Sequence, residues 1–346
     1  MRIPIVLSFL TLVGTCATPK YSTKITNLKN SIKLTDSSIV NTYANTITAE
    51  ELSFYLYQFS DDTLMGRQTG EEGQKKASYF LANYYKSGNI PSPINDSTYF
   101  QTVPNSFFSD DTQDSENVLA FIEGSELPEE VVIISAHLDH LGTKNGEIYN
   151  GADDDGSGNV ALMEMAEAFK MAKDDGYGPK RSVLFLHVTA EEIGLQGSRY
   201  YVEHPVFELS NTLANLNIDM IGRVDPAHKD NKNYLYLIGS DRLSKELHYL
   251  SEKVNNSYFH LELDYKYNEE DDPNRYYFRS DHYNFALQNI PVIFYFNGEH
   301  EDYHLPTDTP DKIDYPLLEK RTKLIFATAW QIANQERRLE VDHLNY

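Results

Sequence analysis

Five short segments of this chain carry residues that can hold metal ions or move protons. The first is Ser135-Ala136-His137-Leu138-Asp139-His140-Leu141-Gly142. A histidine and an aspartate two residues apart at a strand end project to the same side, because strand side chains alternate with a period of two. His137 can bind a metal through one nitrogen while Asp139 accepts the other N–H and fixes the tautomer. Two unrelated polar residues in a surface loop would give the same string.

The second segment is Asn150-Gly151-Ala152-Asp153-Asp154-Asp155-Gly156-Ser157-Gly158. Three adjacent carboxylates repel one another unless something cationic offsets them, and the glycines permit a tight turn into a following helix. A metal-bridging carboxylate fits, and so does a solvated acidic turn; the twelve-residue ligand spacing of an EF-hand is missing. In Thr189-Ala190-Glu191-Glu192-Ile193-Gly194 the adjacent acids project differently, so one can ligate while its neighbour acts as base. In Asn217-Ile218-Asp219-Met220-Ile221-Gly222 a lone aspartate sits in apolar surroundings. A buried carboxylate there needs a partner, a metal or a helix amino terminus. The last segment, Glu299-His300-Glu301-Asp302-Tyr303-His304-Leu305-Pro306, contains a literal His-Glu-x-x-His. A zinc-protease helix would put both histidines on one face, but Asn297-Gly298 before the string and Pro306 after it leave no room for two helical turns. His304 alone remains a ligand candidate.

Positioning these side chains falls to alternating strands and helices. Apolar runs at 131–135, 182–188, 213–218, 234–238 and 290–296 read as strands, several of them buried on both faces because they lack alternation. Helical periodicity marks 48–86, 158–173, 198–203, 241–253, 282–287 and a closing helix over 316–338. This pattern predicts an α/β fold, a mostly parallel sheet covered on both sides. Each polar cluster follows one of the strands, and in open α/β sheets sites form outside the carboxyl ends of strands. The acidic stretch 110–116 reads as a solvated loop.

The 346 residues are 40% hydrophobic, enough for a large core, and carry a formal net charge of −22. That charge argues against a nucleic acid partner, since phosphate binding needs a basic patch to release counterions. Arg2 and the apolar run 3–13, too short to span a bilayer, read as a signal peptide over residues 1–16. Val13-Gly14-Thr15-Cys16 resembles a bacterial lipobox except at Thr15, so a lipid anchor through Cys16 and plain secretion are both open. The chain is then exported, to the periplasm, to the outer membrane or outside the cell. Cys16 is the only cysteine, which excludes an intrachain disulfide. Residues 17–35 read as a flexible tether and 36–346 as a single domain including amino-terminal helices.

The ordered strings AHLDHLG, NGADDDGSGNVALME, TAEEIGLQGS, NIDMIGR, SDHYNF and DYHLPTDTPDKID, spanning 136–314, together resemble the co-catalytic zinc aminopeptidase family. That family includes secreted bacterial leucine aminopeptidases, glutamate carboxypeptidase II and, more distantly, glutaminyl cyclase. The resemblance implies a three-layer α/β/α zinc-exopeptidase architecture of the phosphorylase/hydrolase type, with a mixed, mostly parallel central sheet, and two Zn2+ per chain. By the same resemblance His137 and Asp219 bind one zinc, Glu192 and His304 the other, and Asp154 bridges them. Glu191 is the general base and later the acid, Asp139 orients His137, and Tyr303 polarises the substrate carbonyl. The implied function is hydrolysis of amino-terminal peptide bonds in peptide substrates. A dipeptidase or carboxypeptidase of this fold, a one-zinc glutaminyl cyclase, and a binding protein that lost catalysis are the alternatives. A serine hydrolase is disfavoured, because no G-x-S-x-G elbow is present.

Overall fold

The computed structural model describes residues 21–95 and 98–342. Residues 1–16, read above as a signal peptide, and with them Cys16, lie outside the described residues. In chain order the strands are β1 (Phe100–Val103), β2 (Ser115–Ile122), β3 (Leu127–His137), β4 (Gly142–Lys144), β5 (Glu147–Tyr149), β6 (Arg181–Val188), β7 (Thr212–Ile218), β8 (Tyr234–Ile238), β9 (Glu262–Asp264) and β10 (Val292–Phe296). The helices are α1 (Tyr21–Ser31), α2 (Ser37–Ala44), α3 (Ala49–Phe59), α4 (Glu72–Ser87), α5 (Gly158–Asp174), α6 (Gln196–Glu203), α7 (Lys245–Tyr258), α8 (His282–Leu287) and α9 (Tyr315–Asn334).

Eight of the strands form one sheet in the order β1-β2-β6-β3-β7-β10-β8-β9, and β4 and β5 form a separate hairpin. The central strands β6, β3, β7 and β10 are parallel, while β2 and β8 run antiparallel to their inner neighbours. The apolar runs lack alternation because both faces are covered. Val132, Ile134 and Ala136 of β3 join one core cluster, with α3, α5 and α9, whereas Val131 and Ile133 join the opposite one with Tyr201 of α6 and Phe285 of α8. The result is three layers, helix on sheet on helix.

Two expectations need correction. Residues 21–31 of the expected tether form α1, because Ile25, Leu28 and Ile32 recur at helical spacing and face inward. Ile32 is buried, its carbonyl accepts from Lys253, and the Thr35 amide donates to the Gln331 side chain (2.8 Å). The acidic stretch 110–116 ends inside β2, where Glu116 pairs with Lys75 of α4.

One side chain joins the amino-terminal helices to the rim of the sheet. Arg67, fully buried between α3 and α4, donates to the carbonyls of Phe59, Leu138, Asn150 and Gly151 at 2.6–3.1 Å. It thereby ties the segment after β3 to the acidic turn before α5. Burial lowers its pKa to about 10, opposed by Asp154, Asp308, Asp139 and Asp155, so it stays charged at neutral pH. Arg67→Met should destabilise the fold by about 3 kcal/mol or more, since each buried carbonyl left unpartnered costs about 1–3 kcal/mol. Arg67→Lys should recover little of this, because an ammonium lacks the planar fork. Chaotrope unfolding of the three proteins measures both effects.

Candidate metal centre and active site

His137 is the last residue of β3, so the chain leaves the sheet with its imidazole at the rim. Its Nε2 lies 3.1 Å from Asp154 Oδ1 and 3.6 Å from Asp219 Oδ1. Its Nδ1 is held by the main-chain carbonyl of Asp139 (3.1 Å), while the Asp139 carboxylate stands 3.9 Å away. The expected contact therefore runs through the backbone of Asp139. Its carboxylate instead accepts from the Thr69 hydroxyl (2.7 Å) and the Glu191 amide (3.1 Å), and so fixes the turn that carries Glu191.

The triple acid divides its work by direction. Asp155 accepts from the amides of His137, Gly158 and Met220. Asp153 accepts from the Gly222 amide and faces His300 Nε2 at 3.2 Å. Only Asp154 looks both ways: Oδ1 toward His137, and Oδ2 toward His304 Nε2 at 3.2 Å. Asp308 accepts from the Asp153 and Asp154 amides and holds the bend in place. The bend begins at Gly151, whose φ is +52°. A side chain there would meet both the Asp154 carbonyl and the His140 ring.

Glu191 and Glu192 follow β6 through Ala190, whose φ is +57°. Glu192 Oε2 lies 3.4 Å from His304 Nε2. Asp219, just past β7, accepts a hydrogen bond from Ser280 through Oδ2 (2.7 Å), leaving Oδ1 for His137. Residues 301–304 form turns, so His300 and His304 share no helical face and His300 points to Asp153. Tyr303 stacks on His304 with ring centroids 3.9 Å apart, and its hydroxyl lies 3.4 Å from Arg279, which also pairs with Glu299.

Acid crowds acid here. Burial pushes the Glu191 carboxyl well above the usual carboxylate range; Asp219, Glu192 and Asp281 add to the push and His137 opposes it. Burial also raises Asp281, to about 7, helped by Asp139 and Asp219. Burial disfavours a charged His137, yet Asp219, Asp154 and Glu191 hold its proton affinity well above normal. Tyr303 is raised by burial and by Asp154 and Asp219, so its hydroxyl stays protonated.

Buried and unpartnered atoms mark where cations fit. Asp154 Oδ2 and Glu192 Oε1 have no hydrogen-bond partner. Donor atoms of His137, Asp154 and Asp219 lie within 4.8 Å of one another, and so do those of His140, Asp154 and Glu192. Imidazole nitrogens with carboxylate oxygens are a zinc-type donor set. The structure thus brings together His137, Asp154, Asp219, Glu192 and His304, with Glu191 and Tyr303 on the wall of the same cavity. Sequence reasoning missed Ser280, Asp308 and His140 at this site. All three stood inside quoted motif strings, and their own spacing carried no signal.

A protein-family model, described as peptidase family M28, matches residues 117–329. The leupeptin-inactivating enzyme 1 of Streptomyces exfoliatus is 30% identical over 167 residues, 48% of this chain and 35% of that protein. The chain thus spans about a third of that relative's length. The LapA aminopeptidase of Legionella pneumophila superposes with a TM-score of 0.68 at 21% identity, covering 88% of this chain and 77% of LapA. A zinc aminopeptidase of Bacillus subtilis, BSAP, superposes with a TM-score of 0.64 at 16% identity, over 84% and 97% of the two chains. At those identities the superpositions establish the shared α/β/α fold. The family model covers more than half of the residues, and on that ground this chain belongs to peptidase family M28.

Proposed function

We propose that the protein is an exported, zinc-dependent exopeptidase that removes amino-terminal residues from peptides. The observation that carries this is the two-sided placement of Asp154 between the His137–Asp219 and Glu192–His304 sets. Two zinc ions, when bound, would acidify a water and stabilise the oxyanion of the tetrahedral intermediate.

The chain's own groups do the rest. His137, Asp154 and Asp219 would hold one ion, and Asp154, Glu192 and His304 the other. Glu191, on the cavity wall, takes a proton as water oxygen adds to the scissile carbonyl carbon. It passes that proton to the amine nitrogen as the C–N bond breaks. Burial raises its proton affinity, which favours uptake of that proton. The protonated hydroxyl of Tyr303 donates to the carbonyl oxygen as charge develops there. Met220, Phe294, Phe296 and Tyr276 line an apolar end of the cavity. Among the described residues lining it, Arg279 is the one permanent cation, and it is paired with Glu299. Glu191 and Glu299 are the lining carboxylates not assigned to an ion, and a free α-ammonium could pair with them, which favours the aminopeptidase over the carboxypeptidase reading.

Glu191→Gln should lower kcat at least about a hundredfold with zinc content unchanged. Turnover near that of the parent would remove Glu191 from the mechanism. With aminoacyl anilides, acyl-blocked dipeptides and glutaminyl peptides as parallel substrates, the anilides should turn over, the blocked dipeptides should not, and the glutaminyl peptides should be hydrolysed without cyclising. Chelator should abolish that turnover and added zinc should restore it. Cyclisation of the glutaminyl peptide with one bound zinc would point to a cyclase. For the amino terminus, we expect labelled fatty acid to be incorporated in cells and lost in Cys16→Ala; no label in the parent chain would leave plain secretion.

A further inference from the structure

The roles assigned so far leave His140, a fully buried side chain at the site, unused. His140 follows Asp139 on the way out of β3, and its side chain is closed to solvent. Its Nδ1 lies 2.8 Å from Glu192 Oε1 and 3.8 Å from Asp154 Oδ2. Neither ring nitrogen makes a directed hydrogen bond, and neither do Glu192 Oε1 and Asp154 Oδ2. Four unpartnered polar atoms in one buried spot would be costly, at about 1–3 kcal/mol each. One cation among them would satisfy Nδ1 and both carboxylate oxygens together.

His304 approaches the same two carboxylates from the other side, with its ring 5.9 Å from that of His140 and tilted by 65°. We propose that His140 Nδ1 is a fourth protein donor at the Glu192 position, beside Asp154, Glu192 and His304. The proposal rests on the two-cation reading of the site. It makes the two positions unequal. Four protein donors close a tetrahedral zinc site, whereas three leave a place for water or substrate. The Glu192 position is then the tightly held one. The Asp219 position has His137, Asp154 and Asp219, with the second Asp219 oxygen taken by Ser280. It is the open and more readily exchanged one.

The surroundings of His140 are built to keep the ring there. Its amide donates to the Arg67 carbonyl (3.1 Å). Its ring lies so close to Gly151 that an ideal Cβ on that glycine would come within 2.6 Å of the ring carbons. Arg67 holds the Gly151 carbonyl in turn, so ring and acidic bend are fixed to one another. The rival role for the same 2.8 Å contact is a hydrogen bond from His140 to Glu192 that orients the carboxylate without touching metal. The two roles differ in the metal's own spectrum.

The test is stepwise zinc loading of the metal-free full chain, followed by competition against a chromophoric chelator, with X-ray absorption on the protein loaded to one equivalent. The first equivalent should bind more tightly than the second and show two imidazoles in its absorption fine structure. In His140→Ala the tight step should weaken by more than about a hundredfold, beyond the 10–100-fold that loss of an outer contact produces. The second step should move far less. One imidazole on the first zinc of the parent chain would overturn the proposal, and that measurement needs no variant to fold. Two equivalents bound with equal affinity would also overturn it while leaving the two-cation reading intact. Uptake of fewer than two equivalents would remove both.

Discussion

Too much negative charge is gathered in too little water at the carboxyl end of the central strands, and the rest of the site follows from that constraint. Asp139, Asp153, Asp154, Asp155, Asp281 and Asp308 are each no more than 2% exposed. An isolated buried carboxylate is prohibitively unfavourable, so each must be hydrogen-bonded, protonated or paired with a cation. The buried guanidiniums nearby do not discharge them. Arg67 is spent on carbonyls of Phe59, Leu138, Asn150 and Gly151, and Arg321 on those of Tyr234, Ile221 and Arg223. Both act on the acids only at a distance, as part of the background field.

The solution is a division of labour. Asp155, Asp153 and Asp308 turn to backbone amides, which fix the bend geometrically. Asp139 turns to a hydroxyl and an amide. What remains is a smaller set, Asp154, Asp219 and Glu192, that faces imidazoles across gaps fit for ions. Glu191 is left with a raised proton affinity and no ligand role, the state a proton carrier needs. The backbone contacts thus select which acids are left over for chemistry.

This explains what the sequence disclosed and what it withheld. The parallel strands were legible because burial on both faces writes a continuous apolar run, and their order placed the acids and histidines at one rim. The edge strands and their neighbour β2 were not: β1 and β9 are short, and β2 begins with Ser115 and Glu116, whose partners lie far off in the chain. Asp139 was legible as part of the site but not in its contact, because the chain leaves the sheet at His137 and the two-residue alternation stops there. The same break hid His140. Strand alternation would send it away from His137, whereas the turn brings it back beside Glu192. Arg67 left no trace, because its partners are carbonyls, which every residue has.

A site of this kind also couples the fold to its metal. The carboxylates and imidazoles converge only when β3, β6, β7 and the segment after β10 are in register, so the folded chain offers a binding site that the unfolded chain lacks. Whatever binds the folded state alone stabilises it by mass action. Burial, and after it the neighbouring carboxylates, lift Glu191 and Asp155; bound cations would offset the carboxylate part locally. Without cations, protons would take part of that load: burial disfavours a charged His137, but Asp219, Asp154 and Glu191 hold its proton affinity up. Stability, protonation and metal content are therefore one linked equilibrium here. Arg67 and Asp308 sit at its hinge, because they hold the acidic bend in shape whether the charge beside it is met by protons or by ions.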